Sequence, residues 1–220
     1  MEGHAWRKRW ADNQIGWHQE KFNPRLVEFW ERVAGERKGL VLVPLCGKTL
    51  DMIWLAEQGH QVVGVELSEI AIESFFTENK MEAKWEQEHG FRLMRSGSIT
   101  IYCCDFFETD TKWLGDIDFI YDRAAHIALP PDVRSLYGAH VGKLISATTG
   151  GLLLSIDYDQ AKHDGPPFSV PPAEIQKNFG HYFELEMLVE NEVIDTRPKY
   201  REWGLDSLVE RAHILKARAR

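Results

Sequence analysis

Two short apolar runs, LVLVPL at 40–45 and QVVGVE at 61–66, flank a segment at 50–58 whose apolar residues recur at helical spacing and which Gly59 closes. The runs do not alternate, which suits strands buried on both faces, and parallel strands joined by a helix form the βαβ unit of a doubly wound sheet. No other feature narrows the fold as far. Residues 69–79, with Ile70, Ile72, Phe75 and Phe76 in helical phase, predict the next crossover helix. Residues 91–103 alternate on each side of Ser96-Gly97-Ser98 and predict a hairpin whose second arm joins the sheet. A strand at 118–122, a helix at 132–148 capped by Asp132 and a strand at 152–157 follow. Past Pro171-Pro172 the pattern predicts a short helix at 173–179 and a strand at 182–190, then a stretch at 208–217 that reads as an antiparallel strand or a helix. In such sheets ligands bind outside the carboxyl ends of the strands.

A chain of 220 residues without repeats or a Gly/Ser-rich linker predicts one domain, with residues 1–25 as an addition to an α/β core at 26–220. The formal net charge of −8 disfavours a nucleic-acid partner, whose phosphates demand Lys and Arg, and leaves a small molecule as the expected ligand. The basic clusters Arg7-Lys8-Arg9 and Lys216, Arg218, Arg220 read as solvated ends. No run approaches the ~20 apolar residues of a membrane span, and MEGHAWRKRW lacks a signal-peptide core, so the cytosol is expected. Three cysteines, with no Cys-x-x-Cys pair, are expected to be reduced, and His18, His126, His163 and His181 show no ligand spacing. No metal is expected.

The loop after 40–45 discriminates between nucleotide ligands. A diphosphate needs several glycines that let backbone N–H groups approach it, whereas Val43-Pro44-Leu45-Cys46-Gly47-Lys48-Thr49 offers one, and Pro44 removes a donor. Gly47-Lys48-Thr49 ends like a P-loop, but its first glycine is replaced by Leu42. Glu66 stands 21 positions past Leu45, at the distance from which an acidic side chain accepts ribose hydroxyls, and reads either so or as a solvated turn glutamate. A nucleoside without phosphate, such as S-adenosylmethionine, fits this loop better than a dinucleotide.

The segments PLCGK at 44–48, GHQVVGVELSEIAI at 59–72, ITIYCCD at 99–105 and DGPPFSVPPAEI at 164–175, in this order and spacing, resemble the thiopurine S-methyltransferase family over nearly the whole chain. The resemblance implies a class I, Rossmann-like fold with a mostly parallel seven-stranded sheet and an N-terminal helical lid. PLCGK stands in place of the E/D-x-G-x-G loop of methyltransferases at large. It further implies that Trp6, Trp10 and Trp17 lie in the segment closing over the cofactor, with Trp17 towards the substrate. Leu45 would line the methionine end, Glu66 meet the ribose, and Asp105 with Phe106 border the adenine, although many relatives carry another small polar residue at position 105. Arg123 matches an active-centre arginine that contacts cofactor or substrate, and Lys199 or Arg201 belongs to a basic segment near the acceptor.

The implied reaction moves the methyl of S-adenosylmethionine to the sulfur of an aromatic or heterocyclic thiol, extending to selenium or tellurium compounds, and leaves S-adenosylhomocysteine. Such a transfer needs alignment more than acid or metal, and an always-charged guanidinium at Arg123 suits a thiolate but excludes a base. The Trp6, Trp10 and Trp17 rings bury enough area to nearly offset the ordering of a dozen residues, so 1–20 are expected to be mobile without cofactor. Asp157 and Asp159 follow the strand at 152–157, and Gly165-Pro166-Pro167-Phe168 reads either as a rigid rim offering an apolar surface to a flat ring or as a plain turn. A nicotinamide-dependent oxidoreductase and a cofactor-binding module without turnover are the alternatives; a monomer is expected from the resemblance.

Overall fold

The structure is a computed structural model that describes residues 3–16 and 18–219. The chain divides into two compact units, residues 1–121 and 122–220.

The first unit begins with helix α1 (Gly3–Ala11) and helix α2 (Pro24–Ala34). Asn23 caps α2 by accepting the Arg25 N–H, and Pro24 occupies its first turn, where no N–H is needed. Then come β1 (Leu40–Pro44), α3 (Asp51–Glu57), β2 (Gln61–Glu66), α4 (Glu69–Glu78), β3 (Trp85–Glu88), β4 (Phe91–Ser96), β5 (Ile99–Cys103), α5 (Thr111–Leu114) and β6 (Ile117–Asp122). Within this unit the strand order is β3-β4-β5-β2-β1-β6. The β1, β2, β5 and β6 strands run parallel, and β4 and β3 continue from β5 as an antiparallel meander. The two buried runs and the hairpin are therefore where the sequence puts them, with Gly97 in the left-handed conformation at the hairpin turn. Gly64 is compelled by packing: a Cβ there would lie 2.7 Å from Cys46 Sγ and 3.0 Å from Met52 Sδ. His60 is a core residue, accepting the Trp30 indole N–H at Nε2 and facing the Gly39 carbonyl through Nδ1. Burial lowers its pKa, the cost of charging an imidazole away from water.

The second unit holds α6 (Ala125–Ala128), α7 (Pro131–Leu144), β7 (Ile145–Asp157), α8 (Pro172–Phe179), β8 (Phe183–Glu192), α9 (Pro198–Glu202) and β9 (Val209–Ala217). Its strand order is β7-β9-β8, with β9 antiparallel to both neighbours and a register shift between Met187 and Val189 of β8. The stretch at 208–217 is thus a strand. Two boundaries differ from expectation. Helix α7 stops at Leu144 and Ile145–Asp157 is extended, because Thr148 and Thr149 favour extended backbone and Thr149 Oγ1 accepts the Ser146 N–H. Pro130, not Asp132, occupies the cap of α7, and Asp132 sits in its first turn.

The strands among the described residues number nine rather than seven. The expected seven are β1, β2, β5, β6, β7, β8 and β9; β3 and β4 form an additional antiparallel pair beside β5.

Candidate active site

Strand β1 ends in a turn where Leu45 and Gly47 both have positive φ, 48° and 53°. The Cys46 N–H donates to the Val65 carbonyl at 3.0 Å, which ties the turn to the end of β2. Glu66 closes the arrangement: Oε2 accepts the Gly47 N–H and Oε1 the Ser68 N–H, each at 2.9 Å. The carboxylate is therefore no solvated turn residue. It is buried, and burial raises its pKa while the Ser68, Gly47 and Leu67 N–H groups and the Arg7 charge oppose the rise. A carboxylate has about four acceptor positions, so these backbone groups leave it room to accept a ligand hydroxyl.

Helix α1 lies over these strand ends. The Trp10 ring approaches Gly47 so closely that a Cβ there would meet Cζ2 at 3.1 Å, a Cβ on Gly3 would meet Leu67 Cδ1 at 3.1 Å, and Arg7 Nε donates to the Leu67 carbonyl at 3.3 Å. Trp6 is half-buried with the Arg9 guanidinium over its ring, whereas Trp17 lies outside the described residues. At the end of β5 the Cys104 N–H donates to the Glu66 carbonyl, which brings the next residue, Asp105, to the same edge. Asp105 is exposed and accepts the Phe107 N–H at 3.0 Å, capping a single 3-10 turn at 106–108. The Phe106 ring is buried in the core, so its backbone is what it can offer a ligand.

These groups suit adenosine and not diphosphate. Lys48, the lysine of the P-loop-like triplet, is bound to both oxygens of Glu78 at 2.6 and 2.7 Å. The first turn of α3 carries Asp51, a negative charge where a phosphate would need attraction. Asp51 is buried and accepts the Asn23 N–H at 2.7 Å and the Tyr121 hydroxyl at 2.8 Å, so it is fixed there. The three thiols, Cys46, Cys103 and Cys104, are free; burial pushes Cys103 up to about 11, Cys104 to about 12 and Cys46 well above its ordinary value, which makes them poor nucleophiles.

In the second unit Arg123 is half-buried, and its charge, after that of Arg197, lowers the Tyr200 phenol's pKa against the stronger upward effect of burial. Within α9 the two basic candidates differ. Arg201 pairs with Asp195 at 2.6 Å and donates to the Asp206 carbonyl, a surface staple within its own loop. Lys199 Nζ stands 5.0 Å from the Trp203 ring, which stacks on His163 at 3.9 Å and 11°. The rim at 165–168 is held by the Tyr158 hydroxyl donating to the Pro167 carbonyl at 2.6 Å and by the Phe168 N–H donating to the Ile127 carbonyl at 2.7 Å. Asp157 accepts the Ser169 hydroxyl and pairs with Arg211, while Asp159 caps a 3-10 turn at 160–162. Tyr200 was not singled out from the sequence; the basic residues around it were the only signal. Among the described residues no cluster of three His, Cys, Asp or Glu could hold a metal, and no helix is long and apolar enough to cross a membrane.

Solved structures with the class I S-adenosylmethionine-dependent methyltransferase fold superpose on the chain. An S-adenosylmethionine-dependent methyltransferase from Anabaena variabilis matches with a TM-score of 0.64 at 15% identity, covering 98% of this chain and 95% of its own. The 1,6-didemethyltoxoflavin-N1-methyltransferase of Burkholderia thailandensis, solved with S-adenosylhomocysteine, matches at 0.62 and 16%, covering 97% and 87%. The family pattern Thiopurine S-methyltransferase (TPMT) matches residues 1–218. The thiopurine S-methyltransferases of Pseudomonas entomophila and Bordetella petrii are 46% and 42% identical, the first over 98% of this chain and 99% of its own length, the second over 94% and 95%. The chain belongs to the thiopurine S-methyltransferase family and is an S-adenosylmethionine-dependent methyltransferase.

Proposed function

We propose that the protein transfers the methyl group of S-adenosylmethionine to the sulfur of aromatic or heterocyclic thiols such as thiopurines, and to selenium and tellurium nucleophiles of similar acidity. The observation that carries the cofactor side of this reading is Glu66, fixed by Gly47 and Ser68 N–H groups under Trp10 while Lys48 is held by Glu78. Glu66 would accept the ribose hydroxyls, Leu45 would line the methionine end, Asp105 and the Phe106 backbone would border the adenine, and Trp6 and Trp10 would cover the ligand. The bound cofactor supplies a methyl carbon already activated by its sulfonium sulfur. Arg123 contributes permanent positive charge, which holds an aromatic thiol as the thiolate and orients it; the thiol proton leaves to solvent before transfer. The thiolate sulfur gains the carbon–sulfur bond as the sulfonium's breaks, so no base is required of the protein. Lys199, beside the Trp203–His163 stack, or Arg201, paired with Asp195, would meet the acceptor as the family resemblance implies. Trp17 completes the acceptor side as the family resemblance implies. The reading includes a monomeric protein working in the cytosol.

The deciding experiment is methyl transfer from labelled S-adenosylmethionine across a panel of thiols, selenols and amines. Methylation of aromatic thiols is expected; turnover on amines alone, or none, overturns the acceptor assignment. Calorimetry with S-adenosylhomocysteine and NADH tests the cofactor separately, and binding of NADH alone would turn the reading towards an oxidoreductase.

A further inference from the structure

Asp122 ends β6, and its carboxylate is enclosed by three neutral donors: Oδ1 accepts the Ala125 N–H at 3.0 Å and the His126 N–H at 3.2 Å, and Oδ2 accepts the Tyr137 hydroxyl at 2.7 Å. The bond to Ala125 closes a ring around Arg123 and Ala124, so the backbone that carries the guanidinium cannot move without breaking it. Around the ring the packing is dry and aromatic. His126 and Tyr137 are wholly buried and stacked, with centroids 6.0 Å apart, Phe179 meets both edge-on, and Asn178 Nδ2 reaches His126 Nε2 at 3.0 Å. Nothing in the local backbone demands an aspartate. An asparagine could accept both N–H groups, but its amide would turn an N–H towards the Tyr137 hydroxyl, and the negative charge next to Arg123 would be lost.

We propose that Asp122 and Tyr137 form a positioning pair that fixes the Arg123 guanidinium for methyl transfer. This rests on the reading of Arg123 as the acceptor's cation. The charged and titratable groups around the pair are Arg123 itself, His126 and, beyond His126, Arg134, whose charge helps keep that imidazole neutral. Burial lifts Asp122 to about 6, against the downward pull of the Tyr137, His126 and Ala125 bonds. The ionised form therefore prevails only above that pH, and folding loses stability as pH rises from the unfolded carboxyl range through the same value. A buried charge that costs stability and accepts three donors is what a positioning role would maintain.

The test compares kcat and KM against pH for one aromatic thiol in the wild type, Tyr137→Phe, Asp122→Asn and Arg123→Ala, with Tm measured alongside. The ionisation of the free thiol is common to all four, and that of the bound thiol is shared by the three proteins that keep Arg123. Loss of the Tyr137 hydroxyl should move the acid limb of the profile upward by about 1–2 pH units, the size of one hydrogen bond to a charged group. Asp122→Asn should lose the limb and lower kcat on the order of 10–100-fold, while Tm at pH 7.5 holds or rises. An unmoved limb in Tyr137→Phe overturns the pairing, as does Asp122→Asn with kcat within about twofold of wild type, since the misalignment expected is far larger. If Asp122→Asn fails to fold, the Tyr137→Phe limb decides. Arg123→Ala reports on the underlying assignment: full activity there removes the arginine's role, whereas impaired activity beside an unmoved limb removes only the pair.

Discussion

Glu66 stands at the point where the loop geometry and the ligand meet. Gln in its place would keep one acceptor oxygen but turn an amide N–H towards the Gly47 or Ser68 N–H, donor against donor. Glu66→Gln is expected to weaken S-adenosylhomocysteine binding by about 10–100-fold, the value of one or two hydrogen bonds to a charged group, read by calorimetry. Because burial raises the carboxyl's pKa, wild-type affinity should also fall as pH is lowered, and the variant's should not. Affinity unchanged in Glu66→Gln would remove the residue from the cofactor site. Gly64→Ala tests the packing beneath: its new methyl would crowd Cys46 and Met52, at a cost of about 1–3 kcal/mol and a correspondingly lower Tm. The place of Glu66 at the end of β2 was legible because the apolar run before it is local and strongly patterned, whereas its bonds to Gly47 and Ser68 were not. Asp122 and Tyr137 were not, since their bond joins residues 15 positions apart whose meeting depends on how α7 packs.

At the level of the element, helix α1 is where the expected lid can be tested. Trp10 against Gly47, Gly3 against Leu67 and Arg7 on the Leu67 carbonyl dock it on the carboxyl ends of β1 and β2. We expect amide exchange over residues 3–16 to slow on addition of S-adenosylhomocysteine, and Trp10→Ala to abolish most of that slowing; equal exchange with and without ligand would make α1 a fixed part of the fold. The elements most readily read from sequence were β1, β2, the β4–β5 hairpin and α4, whose patterns are local and strongly periodic. Strand β3 escaped because Trp85-Glu86-Gln87-Glu88 is four residues long and mostly polar, held by pairing with β4 and by the Trp85 indole donating to Glu73. The α7–β7 boundary escaped because Ser146 to Thr149 are stabilised by a side-chain bond that periodicity does not report.

Across the molecule, buried histidines set the response to acid. His126 is lowered to about 3 and His213 to about 4, both chiefly by burial, and His60 is lowered as well. Their folded pKa values lie below the unfolded value, so the stability they contribute is present above about pH 6.5 and is lost as pH falls towards 4 and 3. Tm should therefore decline over that interval, and the decline should be shallower in His213→Leu; a flat Tm would show that the imidazoles charge without cost. Asp122 acts in the opposite sense over part of the range and will blunt the curve.

Strand β8 pairs with β9 along one side, and its other side has no strand partner among the described residues. Glu186 and Glu190 of this strand are paired with Lys216 and Arg211 of β9, and the register shift at Met187 bends the free side, so another copy arriving to extend the sheet meets a misaligned ladder. Concentrated solutions should stay monodisperse, because an uneven strand offers a neighbouring molecule no straight ladder to zip onto.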